Sequence, residues 1–199
     1  MNIPKTLLEL AGAAQEPPSW DEAVLVLIDC QREYVDGALA LPEVEPALEE
    51  CAKLLDQARA AGAPVVHVVH HGKPGGGVFD PEGPSGEEAD EVVAIDGEDV
   101  VAKALPNAFA GTDFHAVLEA TGRTALVFAG FMTHMCISST VRVAMDLGYS
   151  NTVVDAACAT RDLPDGQGGV LAAKDLHRAA LVALSDRFAL IVKDSSAWA

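Results

Sequence analysis

Six short apolar runs rich in β-branched residues recur along this chain, with longer segments of helical spacing between them. Residues 24–28, 65–69, 100–102, 125–129, 152–154 and 189–192 are too short for buried helices and read as strands, the first of them apolar enough to be covered on both faces. Residues 44–61 set Leu48, Cys51, Ala52, Leu55 and Ala58 three and four apart and stop at Gly62, the pattern of an amphipathic helix. Further helices are expected over 114–120, 136–147 and 170–184, with Gly122 and Gly148 beyond the first two and a turn at Gly130 ahead of the second. Strands alternate with helices and no hairpin dipeptide joins two strands, so right-handed crossovers into one sheet are the economical solution. The expected fold is α/β: a doubly wound, mostly parallel β-sheet flanked by helices on both faces, a three-layer sandwich.

With 199 residues, half of them apolar, the chain suits one domain over 1–199. Residues 1–20 read as an N-terminal extension that contains a short helix, because Glu9 interrupts an apolar stretch already too short for a signal peptide. Six glycines and three prolines fall within 72–86, so an irregular, mobile loop is expected over 72–90, either a lid or a plain solvated segment. The 30 acidic against 13 basic residues give a net charge of -17, which repels nucleic acid and anionic lipid and excludes both as partners. No apolar run approaches the ~18 residues of a membrane span. Cys30, Cys51, Cys136 and Cys158 form no CxxC pair, so reduced thiols and a cytoplasmic location are expected.

Ligands of open parallel sheets collect at the carboxyl ends of the strands, and three reactive residues stand there: Asp29, Lys103 and Cys136. A thiol at the amino end of the helix expected from 136 would face unpaired N–H groups that favour the thiolate and could hold an oxyanion. Cys30, Cys51 and Cys158 read as small buried hydrophobes. Asp29 alone could be a structural acceptor and Lys103 alone a surface cation, but a coupled trio can pass a proton between sulfur and carboxylate. His67, His70 and His71 do not chelate one ion on a regular strand, because His70 points away from the other two. Asp113 and His115 lack a second histidine at helical spacing, so no metal site is expected. His134 either faces the pocket or lines its turn. Gly75, Gly76 and Gly77 lack the phosphate-loop pattern, and Phe79 and Phe109 are either pocket walls or core.

The run from Val24 to Gln31, Lys103 with Phe109 downstream, the run from Gly130 to Cys136, and Asp155 to Thr160 together resemble the isochorismatase-like cysteine hydrolases, over 23–185 in order and spacing. The resemblance implies a parallel-sheet α/β fold and an Asp29, Lys103, Cys136 triad. It implies a cis peptide between Phe131 and Met132, which aims the backbone N–H groups of Met132 and Cys136 at an oxyanion. It also implies a substrate pocket of Gln31, Tyr34, Phe109, Thr133 and His134, a small-molecule substrate, no cofactor and a homo-oligomer.

Two departures narrow the chemistry. The Asp-x-His plus further His that forms the nicotinamidase metal site is missing between Asp29 and Lys103, and true isochorismatases, which cleave a vinyl ether, usually lack a cysteine at position 136. The resemblance therefore implies C–N hydrolysis of an amide, carbamoyl, imide or lactam through a Cys136 thioester. Its rivals are vinyl-ether hydrolysis led by Asp29, a non-catalytic small-molecule binder on the same fold, and a redox-sensing thiol.

Overall fold

The computed structural model describes residues 3–13 and 16–199. The six expected strands form one parallel sheet: β1 Ala23–Ile28, β2 Val65–His70, β3 Asp99–Lys103, β4 Ala125–Phe131, β5 Ser150–Ala159 and, last in the chain, Leu190–Val192. With the short strands Leu163–Pro164 and Val170–Leu171 numbered β6 and β7, that last strand is β8, and the sheet order is β3-β2-β1-β4-β5-β8. The helices are α1 Leu7–Leu10, α2 Val44–Ala60, α3 Phe114–Ala120, α4 Ser138–Asp146 and α5 Ala173–Ser185. The expected doubly wound α/β sandwich is the observed one.

Strand β1 is buried at every residue, and its side chains alternate between two cores. Leu25 and Leu27 pack with Leu48, Cys51, Leu54 and Leu55 of α2. Val24, Val26 and Ile28 pack with Phe114 and Leu118 of α3, Val141 of α4 and Leu181 of α5. A central strand covered on both faces needs apolar side chains in both directions, which is why its sequence runs unbroken rather than alternating. The chain winds one way from β1 to β3 and the other way from β4 to β8. The crevice this reversal opens lies between the carboxyl ends of β1 and β4.

Three expectations need correction. Gly130 is not a turn but part of β4, which runs on to Phe131. Its φ is 115°, the register to β5 shifts between Phe128 and Gly130, and a Cβ there would collide with the Ile28 carbonyl oxygen. Glycine is thus required by close approach to β1. Residues 170–171 are not helical either, since they pair antiparallel with Leu163–Pro164 across a loop in which Asp165 accepts from the Gln167 and Gly169 N–H groups. The expected helix begins only at Ala173, whose N–H donates to Asp162. The third concerns Cys136: residues Thr133–Ile137 form a π-helical turn, and α4 starts after it.

At the N-terminus, the Glu9 that interrupts the apolar stretch closes a capping box with Thr6. Leu7 and Leu8 then donate to Asp186, beyond the end of α5. Residues 72–86 carry one 3-10 turn, Pro84–Gly86, and are tied to the sheet by Gln31 and Glu33, which bond Gly86 O and Phe79 N. No helix among the described residues is long and apolar enough to cross a membrane.

An ionic cluster fixes the β3 edge. Arg59 of α2 grips both oxygens of Glu98 at 2.8 Å, and His67 Nε2 of β2 lies 3.0 Å from the same carboxylate. Glu88 stands 2.7 Å from the other ring nitrogen, out of line for a hydrogen bond. The Arg59 contact holds the Glu98 carboxyl down at about 2 against an ordinary 4.5, despite the opposing effect of burial. A depressed carboxylate stabilises the fold above its unfolded pKa, and that contribution is lost as pH falls through the folded one, here between 4.5 and about 2. Glu98→Gln should therefore cost on the order of 3 kcal/mol at neutral pH, measured by denaturant unfolding, with the deficit closing toward pH 2. A deficit that stays constant with pH would contradict this role for Glu98.

Candidate active site

Asp29 directly follows β1, with φ 52° and its N–H bonded to Val68 O at 2.7 Å. Lys103 is the last residue of β3, two strands away, and pairs in register with His70 of β2. Its side chain reaches over β2 to Asp29. Both side chains are wholly buried, and Lys103 Nζ lies 2.7 Å from Asp29 Oδ2. Nζ also stands 3.4 Å from Cys136 Sγ and 3.3 Å from His70 Nδ1. Three N–H groups thus meet three acceptors, which satisfies a buried ammonium completely. The three residues singled out at strand ends do converge.

Cys136 reaches this point from the other side of the crevice. After β4, the peptide between Phe131 and Met132 is cis. Met132 O then accepts from Met135 N at 3.0 Å and Ile137 N at 3.3 Å, so the turn is one residue wider than an α-helical one. Cys136 is its fourth residue and is buried.

This corrects the expectation of a resting thiolate. The sulfur sits inside the turn rather than at the amino end of α4, and burial, followed by the charge of Asp29, pushes its pKa up to about 12 against the downward pull of Lys103. Desolvation outweighs the single cation, and the proton rests on sulfur. Burial likewise raises the Asp29 carboxyl above the usual carboxylate range, although Lys103 opposes it. Apart from the neighbouring Cys136 thiol, Asp29 Oδ1 is buried with no hydrogen-bond partner among the described residues, which leaves it able to take a proton from that thiol.

The expected pocket residues divide. Tyr34 is buried edge-on against Phe79 and Phe131 at 5.1 and 5.8 Å, and burial raises its hydroxyl pKa. His134 bonds Thr160 Oγ1 through Nδ1, and its pKa is lowered by burial and by Arg161, so it is neutral at pH 7. Met132 is buried beside them. Gln31 is spent on backbone: it donates to His70 O and Gly86 O and accepts from His70 N. Thr133 is buried and bonded to Ala159 O and His177. Phe109 takes the core alternative, packed with Phe114, His115 and Tyr149. Phe79 does the same against Tyr34 and His70.

Two site residues escaped sequence reasoning. The sequence offers His70 only as a metal ligand, yet the β2–β3 register sets it against Lys103; burial and Lys103 lower its pKa to about 4, so the ring is a neutral acceptor. Arg161 follows β5, its charge reaches His134 and Tyr34, and its Nε is buried without a partner among the described residues. Its place just past a strand end was the signal that could have found it. A cavity of about 740 Å³ at the opposite end of the strands, bordered by Thr124, Asn151 and Arg187, contains none of these residues.

Similarity to known proteins identifies the family. The Isochorismatase domain model matches residues 23–195. The chain is 36% identical to the secreted isochorismatase effector Isc1 of Verticillium dahliae, over 92% of this chain and 94% of that protein. It is 37% identical to a streptothricin hydrolase of Streptomyces noursei, over 83% of this chain and 57% of that protein. The solved structure of an isochorismatase from Pseudomonas putida KT2440 superposes with a TM-score of 0.92 at 40% identity, over 98% of this chain and 99% of that one. The sheet order, the match from 23 to 195 and these identities establish one conclusion: this chain belongs to the isochorismatase family.

Proposed function

We propose that this isochorismatase-family hydrolase cleaves a C–N bond of a small molecule, in an amide, carbamoyl, imide or lactam, through a thioester on Cys136. The observation that carries the reading is the single ammonium of Lys103 bonded to both the Asp29 carboxylate and the Cys136 sulfur in a buried crevice. Vinyl-ether hydrolysis has no use for a thiol held there. A streptothricin hydrolase among the relatives supports a hydrolytic role.

The proton rests on sulfur at the start. As Sγ attacks the carbonyl carbon, Asp29 Oδ1 takes the thiol proton, so the thiolate never has to exist free in the buried site. Lys103 keeps its charge throughout and offsets whichever neighbour is anionic. The backbone N–H groups of Met132 and Cys136 hold the tetrahedral oxyanion. On collapse the C–N bond breaks and Asp29 gives its proton to the departing nitrogen. Asp29 next takes a proton from water, the hydroxide attacks the thioester, and the sulfur leaves and regains its proton from Asp29. Tyr34 and His134 border the acyl group. Four reduced, buried cysteines support action in the cytoplasm, and a homo-oligomer remains part of the proposal.

Cys136→Ala should keep the fold and lower turnover at least about a thousandfold across a panel of small amides followed by mass detection. Full turnover in that variant would refute the thioester route. Asp29 acts as the base only when ionised, and its carboxyl titrates above the usual range. The kcat/KM profile should therefore fall with decreasing pH through a limb that lies above that of an ordinary aspartate, and Asp29→Asn should lack the limb while losing about 100-fold or more in rate. An acid limb that survives Asp29→Asn would assign it to another group.

A further inference from the structure

A second group of chemically capable side chains lies behind the nucleophile turn. Thr133 Oγ1 is 2.8 Å from His177 Nδ1, and His177 Nε2 is 2.7 Å from Asp155 Oδ1. The order hydroxyl, imidazole, carboxylate is that of a nucleophile with its base and orienting acid. Thr133, however, is completely buried and gives its one hydroxyl hydrogen to Ala159 O at 3.0 Å, so its oxygen accepts from His177 Nδ1, is not activated as a nucleophile, and is reached by no substrate carbonyl. The group must serve by holding something.

What it holds is the first residue of the turn that carries Cys136. Asp155 and Ala159 both belong to β5, His177 belongs to α5, and Thr133 opens the π-helical turn. The bonds close a ring from β5 through α5 to the turn and back to β5. A π-helical turn is rare and is retained where surrounding contacts enforce it. Here the contacts that grip its first side chain come from outside the turn. Released, the turn has the ordinary α-helical spacing available, which would displace Cys136 Sγ from the ammonium 3.4 Å away.

We propose that His177, oriented by Asp155, is a positioning residue that keeps the Cys136 turn in its wide form through the Thr133 hydroxyl. Arg178 of α5 stands 4.0 Å from the other Asp155 oxygen and is mostly exposed, so it adds little. The inference rests on Cys136 being the reactive thiol, but its test needs no amide turnover.

The experiment measures iodoacetamide labelling of each cysteine by peptide mass spectrometry at pH 8, in the full chain and in folded variants. Thr133→Val and His177→Leu should each change the Cys136 labelling rate about tenfold or more, because a displacement of about 1 Å is enough to decouple the sulfur from its partners. Thr133→Ser, which keeps the hydroxyl, should stay within about twofold of the unmodified chain, and the double variant should match the single ones. Cys30, Cys51 and Cys158 are buried and report general opening. Unchanged Cys136 labelling, effects that multiply in the double variant, or four cysteines that change together would overturn the proposal. Should His177→Leu not fold, Thr133→Val against Thr133→Ser decides alone. A labelling pattern as expected without amide turnover would uphold this inference while defeating the amidase reading, and turnover with indifferent labelling would do the reverse.

Discussion

An ammonium and a carboxylate sealed from water 2.7 Å apart set the terms for the rest of the molecule. Taking each ion out of water costs several kcal/mol, and a buried pair of this kind is tolerated only where geometry and further hydrogen bonds compensate it. Lys103 meets that condition by having an acceptor for every N–H: Asp29, His70 and the Cys136 sulfur. The low dielectric that makes the pair costly also strengthens each contact within it. The same burial decides the state of the thiol. Burial in the core on its side of the sheet, with the charge of Asp29, raises the sulfur pKa more than one cation lowers it, so the site stores its proton on sulfur and needs Asp29 to remove it.

The fold exists around this pair in a definite sense. Strands β1 and β4 are neighbours at the reversal of winding, so the carboxylate and the thiol leave from adjacent strand ends. Gly130 lets the two backbones approach where any side chain would collide with Ile28 O. Lys103 comes from two strands away, and the Arg59, Glu98 and His67 cluster pins the edge from which it reaches. The turn after β4 is widened by one residue and gripped from α5 and β5.

Much of this was legible in the residues. Unbroken apolar runs identified the strands because a doubly covered strand tolerates little else, and Asp29 and Lys103 stood out as polar residues at the ends of such runs. The turn at Cys136 was not legible, because π-helical and α-helical spacing draw on the same residue types and the difference lies in contacts with His177, more than forty positions away. The role of His70 depends on the register between β2 and β3, which no local pattern reveals. Gly130 read as a turn because sequence cannot separate a glycine that bends the chain from one that admits a neighbour. The thiolate expectation failed for a related reason: helix-end electrostatics can be argued from local spacing, whereas desolvation depends on everything packed around the sulfur.

The proposed catalysis comes down to sulfur attacking carbon while the neighbouring carboxylate receives its proton. Acid-quenching the enzyme during turnover of an amide, and then weighing the peptide that contains Cys136, observes that step itself. An acyl adduct on Cys136 is expected, one that fails to build up when Asp29 is replaced by asparagine. Turnover with no adduct on Cys136, or an adduct that forms equally fast without the Asp29 carboxylate, would contradict it.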